Sequence, residues 1–237
     1  MTSTNPPIFI AFASSKGGVG KSTSCVSIGA ALAHHGYPVH IVDFDQTQTL
    51  YRWYTTNDAA REIPGLTLEQ GPATTDIVPF LKDLYFNKTG FVLVDLAGSL
   101  TRHMLQIAAF ASLTITPAKL SEPDILEAQR LHDQLLEVAH RANRPIHHRI
   151  LINEVSGIFA NLHRHMLKTI EESKLVRFEQ LMHTRAPYAE LFLTGQPPHY
   201  NVDQSRPATV KAVEELEHIL QEIFDALGAQ QQQNAAA

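Results

Sequence analysis

A glycine-rich loop between an apolar segment and a helical pattern sets the fold expected for this chain. The apolar segment IFIAFAS spans residues 8–14, the loop continues through SKGGVG, and a helical pattern occupies residues 21–35. A strand, a tight glycine turn and a helix in this order open a parallel βαβ unit. In such a unit the N–H groups of the loop face the carboxyl edge of the sheet, where anions bind.

Further apolar runs of strand length alternate with longer helical patterns. Strands are expected at 8–14, 39–45, 66–70, 91–97, 113–118 and 149–155, and helices at 21–35, 47–60, 74–86, 101–111, 122–143, 160–174, 186–194 and 207–227. Strands that are apolar on both faces are typical of parallel sheets covered by helices on each side. We therefore predict an α/β fold with a doubly wound, mostly parallel sheet. It forms a single domain over residues 1–227, followed by a disordered Gln/Ala-rich tail at 228–237.

Composition narrows the functional classes. The 237 residues carry a net charge of −5 and one cysteine, Cys25, which excludes an intrachain disulfide and a Cys-rich metal or iron–sulfur site within one chain. No apolar run reaches the roughly 18 residues that a membrane span needs. The helical pattern at 207–227 is amphipathic but acidic, which disfavours an anionic membrane surface. We expect a cytoplasmic protein with no membrane partner.

The segment GGVGKST has the residue types of a phosphate-binding P-loop. Small residues let the backbone N–H groups curl around a phosphate at the start of the following helix. Lys21 is expected to reach the β- and γ-phosphates of a nucleotide, and the Ser22 hydroxyl to ligate Mg²⁺. The common pattern has glycine at the position of Ser15, and this chain adds Lys16 after it. The alternative is a glycine-rich turn without a ligand.

With both lysines in place, KGGVGKST resembles the deviant Walker A motif of the ParA/MinD family of ATPases. The resemblance implies an ATP-binding P-loop NTPase that dimerises around its nucleotide. It assigns ATP binding to Lys16, Gly17, Gly18, Val19, Gly20, Lys21, Ser22 and Thr23. It also gives the two lysines different, catalytic tasks: Lys21 serves its own nucleotide, and Lys16 reaches the phosphates of ATP bound by the partner subunit. A second cation on the nucleotide would make ATP the link between the subunits.

Three carboxylates follow predicted strands in the order expected after a P-loop. Asp43 and Asp45 end the run VHIVDFD, and Asp95 ends FVLVD. Carboxylates at strand tips beside a phosphate site can orient water and hold Mg²⁺ through water. The family resemblance implies that Asp45 positions the attacking water, Asp43 supports the magnesium shell and Asp95 is the Walker B acid. The alternative for Asp43 is to cap the helix that starts near Thr47.

Later segments resemble the family more loosely. Asn153, after the strand RILIN, matches a position at which the family's Asn meets adenine, although Asn is also a common turn residue. Basic residues of HRANRPIHHR and HRHMLK are candidates for contacts to DNA phosphates, with a solvated helix face as the alternative. These candidates are Arg141, Arg144, Arg149, Arg164 and Lys168. The thirteen histidines suggest the further hypothesis that DNA binding depends on pH.

The chain resembles the short ParA proteins of plasmid partition. This resemblance implies a slow ATPase that binds nonspecific nucleoid DNA as an ATP dimer. A ParB-like centromere-binding or adaptor protein would stimulate its hydrolysis. One alternative is a related ATPase with the same ATP chemistry and a different cargo, such as a positioning or conjugative DNA-transfer ATPase. Another is a metabolic P-loop ligase or synthetase, which needs a second substrate pocket.

Overall fold

The computed structural model describes residues 6–73, 76–98, 101–156, 161–173 and 175–236. Its centre is a sheet of six parallel strands: β1 (Ile8–Phe12), β2 (Val39–Asp43), β3 (Leu66–Gln70), β4 (Phe91–Asp95), β5 (Leu113–Ala118) and β6 (His148–Ile152). Their order across the sheet is β3-β2-β4-β1-β5-β6. Strand β1 is therefore central, and the chain winds outward from it in both directions. The predicted doubly wound parallel sheet is confirmed.

Helices follow the strands on both faces of the sheet. They are α1 (Lys21–His34), α2 (Thr49–Thr56), α3 (Asp58–Arg61), α4 (Val78–Asn87), α5 (Arg102–Phe110), α6 (Glu122–Ala142), α7 (Asn161–Glu172), α8 (Ala186–Thr194) and α9 (Pro207–Ala236), with a 3₁₀ turn at Pro198–Tyr200. None of the described helices is long and apolar enough to cross a membrane.

The two faces of the sheet bury separate apolar layers. Ile10 and Phe12 of β1 face a core formed with α1, α2 and α9, whereas Phe9 and Ala11 face a core formed with α4, α5 and α6. A third cluster lies under α6 and α7 beside β6. Burial of alternate residues on opposite faces explains why the strands are continuously apolar in sequence.

Several element boundaries differ from the sequence-based expectation by a few residues, and three differences have an identifiable cause. Strand β2 ends at Asp43, because the Asp43 carboxylate accepts the N–H of Asp45 and turns the chain. The single helix expected at 47–60 is two helices, broken at Asn57, whose side chain donates to the Trp53 carbonyl. Helix α9 continues to Ala236 through the segment for which disorder was predicted. Gln and Ala favour helix, and extending an existing helix avoids the cost of nucleation.

Candidate nucleotide-binding site

The P-loop occupies the carboxyl edge of the sheet, between the end of β1 and the start of α1. Gly18 and Gly20 have φ of +72° and +85°, which is the left-handed region that glycine tolerates best. The loop borders a phosphate cavity of about 370 Å³. This cavity is lined by Gly17, Gly18, Gly20, Lys21, Ser22, Thr23, Asp45, Thr47, Thr49, Gly98, Glu154 and Phe192. It combines a glycine loop, a helix N-terminus, a lysine and an aspartate, which suits a polyphosphate with a metal ion.

Lys21 lies within this phosphate cavity. Its side chain is buried and its Nζ is 3.4 Å from the carbonyl oxygen of Lys16. A Cβ atom at Gly98 would lie 3.5 Å from Lys21 Nζ and 3.7 Å from the Gly17 nitrogen, so the loop after β4 closely approaches the P-loop. The ammonium group of Lys21 is thus held where the charge of bound phosphates would develop.

Lys16 is directed away from the phosphate cavity of its own chain. Its Nζ is 2.5 Å from Oδ1 of Asp124, in the first turn of α6. The neighbouring Ser15 hydroxyl donates to Glu127 of the same helix over 2.8 Å. The start of the P-loop is therefore tied to α6 by two side-chain contacts, while its end begins α1. The two lysines have separate environments despite their short separation in sequence.

Ser22 and Asp95 form the candidate magnesium site. The Ser22 hydroxyl donates to Oδ2 of Asp95 over 2.6 Å, and Asp95 Oδ1 is buried without a hydrogen-bond partner among the described residues. Burial raises the pKa of Asp95 from 3.8 to about 7, although the hydrogen bond from Ser22 lowers it. A buried carboxylate beside a hydroxyl, with one unsatisfied oxygen, fits a hard cation that prefers oxygen ligands.

Asp43 makes the helix-capping contacts that the sequence left as its alternative, and its support of a magnesium shell stays a prediction. One carboxylate oxygen accepts the N–H of Asp45 over 2.9 Å, and the other accepts those of Leu50 and Tyr51 at the start of α2. Burial raises the pKa of Asp43, and these backbone hydrogen bonds act against that rise. With both oxygens engaged by backbone donors, Asp43 fixes the loop that carries Asp45.

Asp45 is half-buried in the loop after β2 and borders the phosphate cavity. Its Oδ1 accepts hydrogen bonds from both the N–H and the hydroxyl of Thr47, each over 2.8 Å. The following Gln48 has φ of +53°, so the loop bends sharply before α2. These contacts fix the Asp45 carboxylate where it lines the phosphate cavity, and its role in orienting water stays a prediction.

A second cavity of about 250 Å³ also borders the P-loop, and we name it the base cavity because Asn153, the residue predicted to meet adenine, lines it. It is lined by Gly20, Thr23, Asn153, Glu154, His183, Thr184, Arg185, Tyr188 and Ala189. Asn153 is in its wall, but the carboxamide faces the P-loop: Nδ2 donates to the Val19 carbonyl over 3.1 Å, and Oδ1 accepts the N–H of Glu154 over 2.8 Å. Asn153 therefore braces the P-loop in the structure, and its contact with adenine stays a prediction.

Comparison with known proteins identifies the family of this chain. Residues 8–227 match the VirC1 protein family. The chain belongs to the VirC1 family. It is 26% identical to a Protein ParA from Rhizobium radiobacter over 219 residues, which cover 92% of this chain and 96% of that protein. It is 27% identical to a Protein virC1 from the same organism over 193 residues, which cover 77% and 79%.

The fold is also that of solved ParA/MinD-type P-loop proteins. A putative plasmid partition protein from Borrelia burgdorferi B31 bound to AMPPNP superposes with a TM-score of 0.67 at 16% identity, covering 91% of this chain and 99% of that one. The predicted resemblance to the ParA/MinD family is thereby confirmed for this VirC1-family chain.

Sequence reasoning missed a buried polar network behind the base cavity. Glu215 of α9 is buried and accepts hydrogen bonds from His183, Arg185 and Tyr188, with distances of 2.6, 2.6 and 3.2 Å. Arg185 and Tyr188 lie in the segment TRAPYAELFLTGQPP, and their shared partner on α9 is distant in the sequence, so no local pattern indicates the network. The network fixes one wall of the base cavity to the C-terminal helix.

The candidate DNA-binding residues fall into different environments. Four are exposed on or just after helices: Arg141, Arg144, Arg164 and Lys168. Arg141 and Lys168 pair with Glu137 and Glu172 one helical turn away, at 3.6 and 3.5 Å. Arg149 lies within β6, where its guanidinium stacks 5.8 Å from the Phe178 ring centre and lies 3.9 Å from Glu222. The structure therefore separates Arg149 from the exposed basic residues.

Proposed function

We propose that this chain is an ATP-dependent dimerising ATPase of ParA type that acts in DNA partition. The main support is the separation of the two lysines. Lys21 is inside the phosphate cavity of its own chain, and Lys16 is directed to Asp124 instead. A lysine that its own nucleotide does not need is available for a nucleotide bound by a second copy.

Within one subunit, the P-loop and Lys21 bind and orient the triphosphate of ATP. Backbone N–H groups of the loop and the N-terminus of α1 would bind the β-phosphate, and Lys21 would balance the charge on the β- and γ-phosphates. Ser22 and Asp95 would hold Mg²⁺, with Asp43 stabilising the adjoining loop. Bound magnesium supplies Lewis-acid stabilisation of charge on the phosphate oxygens.

Asp45 positions the water that attacks the γ-phosphate. Its carboxylate is at the cavity mouth and is oriented by Thr47, so it can accept a proton from a water aligned with the phosphate. A single carboxylate without a partner's help gives slow turnover. Slow turnover lets an ATP dimer persist until a ParB-like centromere-binding or adaptor protein stimulates hydrolysis.

Dimerisation requires Lys16 to exchange one anionic partner for another. The Lys16–Asp124 ion pair holds this side chain against α6, where Lys16 is 36% exposed. The phosphates of a facing subunit carry more negative charge than one aspartate and compete for the ammonium group. Hydrolysis followed by departure of the cleaved phosphate lowers that charge, so that Lys16 returns to Asp124 and the dimer separates.

The exposed basic residues are proposed to contact nonspecific nucleoid DNA. Arg141, Arg144, Arg164 and Lys168 have accessible side chains on α6, after α6 and on α7. Contacts to phosphate oxygens give a salt-sensitive affinity without base readout. In a dimer each such residue appears twice, which raises DNA affinity through bivalency.

The Asp45 role is tested with Asp45→Ala and the control Asp58→Ala, which removes an exposed carboxylate from α3. We expect ATP turnover to fall about 100-fold in D45A, with dimers accumulating in ATP, and to stay unchanged in D58A. Duplex DNA of random sequence is expected to bind these dimers. Equal turnover in D45A and wild type would contradict the role. Turnover stimulated by small carboxylic acids instead of DNA and its adaptor would favour a ligase.

A further inference from the structure

The phosphate cavity and the base cavity meet at three shared residues. Gly20, Thr23 and Glu154 line both of them. In a nucleoside triphosphate the ribose joins the base to the phosphates. A nucleotide that fills both cavities must therefore place its ribose against these three residues.

Glu154 supplies the functional group that suits a ribose. Of the three shared residues, Gly20 has no side chain and Thr23 has a single hydroxyl, whereas Glu154 carries a carboxylate that is 45% exposed. The 2′- and 3′-hydroxyls of ribose are neighbouring donors, and a carboxylate accepts from both in strong charge-assisted hydrogen bonds. Acidic residues contact ribose hydroxyls in the same way in dinucleotide-binding folds.

The backbone and the neighbours of Glu154 hold it at this junction. Its φ is +53°, a left-handed conformation that is uncommon for residues other than glycine and asparagine. The Asn153 side chain accepts the Glu154 N–H over 2.8 Å, and Lys119 Nζ contacts Glu154 Oε2 at 2.7 Å. Lys119 also offsets the repulsion between this carboxylate and a triphosphate.

We propose that Glu154, positioned by Lys119, binds the ribose hydroxyls and makes this protein select ribonucleotides over 2′-deoxynucleotides. This inference rests on the proposed ATP binding. It concerns the sugar alone, since Lys21 and the P-loop bind the phosphates. The carboxylate acts in recognition and takes no part in hydrolysis.

The test compares the binding of Mg²⁺–ATP, Mg²⁺–2′-deoxyATP and inorganic tripolyphosphate to wild type and Glu154→Gln by titration calorimetry. Wild type is expected to prefer ATP over 2′-deoxyATP about tenfold, and E154Q about twofold or less. Tripolyphosphate has no ribose, and E154Q is expected to bind it at least as tightly as wild type, because the variant loses a negative charge and keeps Lys119. The matched control Glu62→Gln removes an exposed carboxylate at the end of α3 and is expected to keep the wild-type preference.

The outcomes separate the sugar inference from the function on which it rests. Tight binding of ATP and 2′-deoxyATP with equal affinity to wild type would overturn the role of Glu154 and leave ATP binding intact. An unchanged preference in E154Q would do the same. Wild type that binds neither ATP nor tripolyphosphate would refute the proposed function itself.

Discussion

The contact between the P-loop and Asn153 gives a prediction whose size follows from the structure. A Cβ atom at Gly20 would lie 1.9 Å from Asn153 Nδ2, and Gly20 has φ of +85°. Gly20→Ala therefore adds about 1 kcal/mol of backbone strain. It also displaces a buried carboxamide from its hydrogen bond to Val19, at about 2 kcal/mol. We expect G20A to lower the free energy of unfolding by about 3 kcal/mol.

The contact between Gly20 and Asn153 also predicts that substitutions of these two residues have non-additive effects on the free energy of unfolding. Asn153→Ala alone removes the brace and costs about 2 kcal/mol. In the double variant the collision is gone, so only the strain at Gly20 adds to that cost. The total is then about 3 kcal/mol instead of the additive value of about 5 kcal/mol.

Urea unfolding without nucleotide, followed by the fluorescence of the single tryptophan, Trp53, measures these values. Gly17→Ala is the matched control in the same loop, because a Cβ atom there meets nothing within 4 Å. It should cost less than about 1 kcal/mol. Additive losses for Gly20 and Asn153 would refute the proposed brace.

Two further predictions concern charge. Burial, with His132 nearby, lowers the pKa of His148 from 6.5 to about 3. Folded His148 stays neutral, whereas the unfolded chain takes up a proton on this residue as the pH falls below 6.5. Its contribution to the free energy of unfolding is therefore present above pH 6.5 and lost as the pH falls towards 3. Between pH 7 and pH 5, urea unfolding should show a loss of this free energy that is about 2 kcal/mol smaller in His148→Gln than in wild type. Asp124→Asn weakens the ion pair with Lys16 by about 1 kcal/mol. The ATP concentration for half-maximal dimerisation should therefore fall about fivefold. An unchanged concentration would contradict the competition between Asp124 and the partner's nucleotide for Lys16.

The parallel sheet was predictable because its signals are local. Each strand is a short apolar run, and burial on both faces removes the alternation that an exposed strand would show. The helix break at Asn57 was not predictable in the same way, because a side-chain hydrogen bond to Trp53 decides it. Single contacts of this kind decide where a helix or strand ends more often than they decide whether it forms.

The P-loop was predictable for the same reason, since GGVGKST carries its phosphate chemistry in one segment. The roles of Asp43 and Asn153 were harder to assign, because one polar side chain can serve either a ligand or a neighbouring backbone group. Their hydrogen bonds to α2 and to Val19 depend on the packing of separate segments. The partner of Lys16 on α6 is likewise 108 residues away in the chain and leaves no local pattern.

Sedimentation velocity with nonhydrolysable ATP and Mg²⁺ is the most direct test of a nucleotide shared between two subunits. Wild type and Lys82→Ala, which removes an exposed lysine from α4, should sediment as dimers. Lys16→Ala should bind the nucleotide with affinity within about twofold of wild type, yet remain monomeric. A dimer of Lys16→Ala that matches wild type, or a wild-type monomer at saturating nucleotide, would contradict the account.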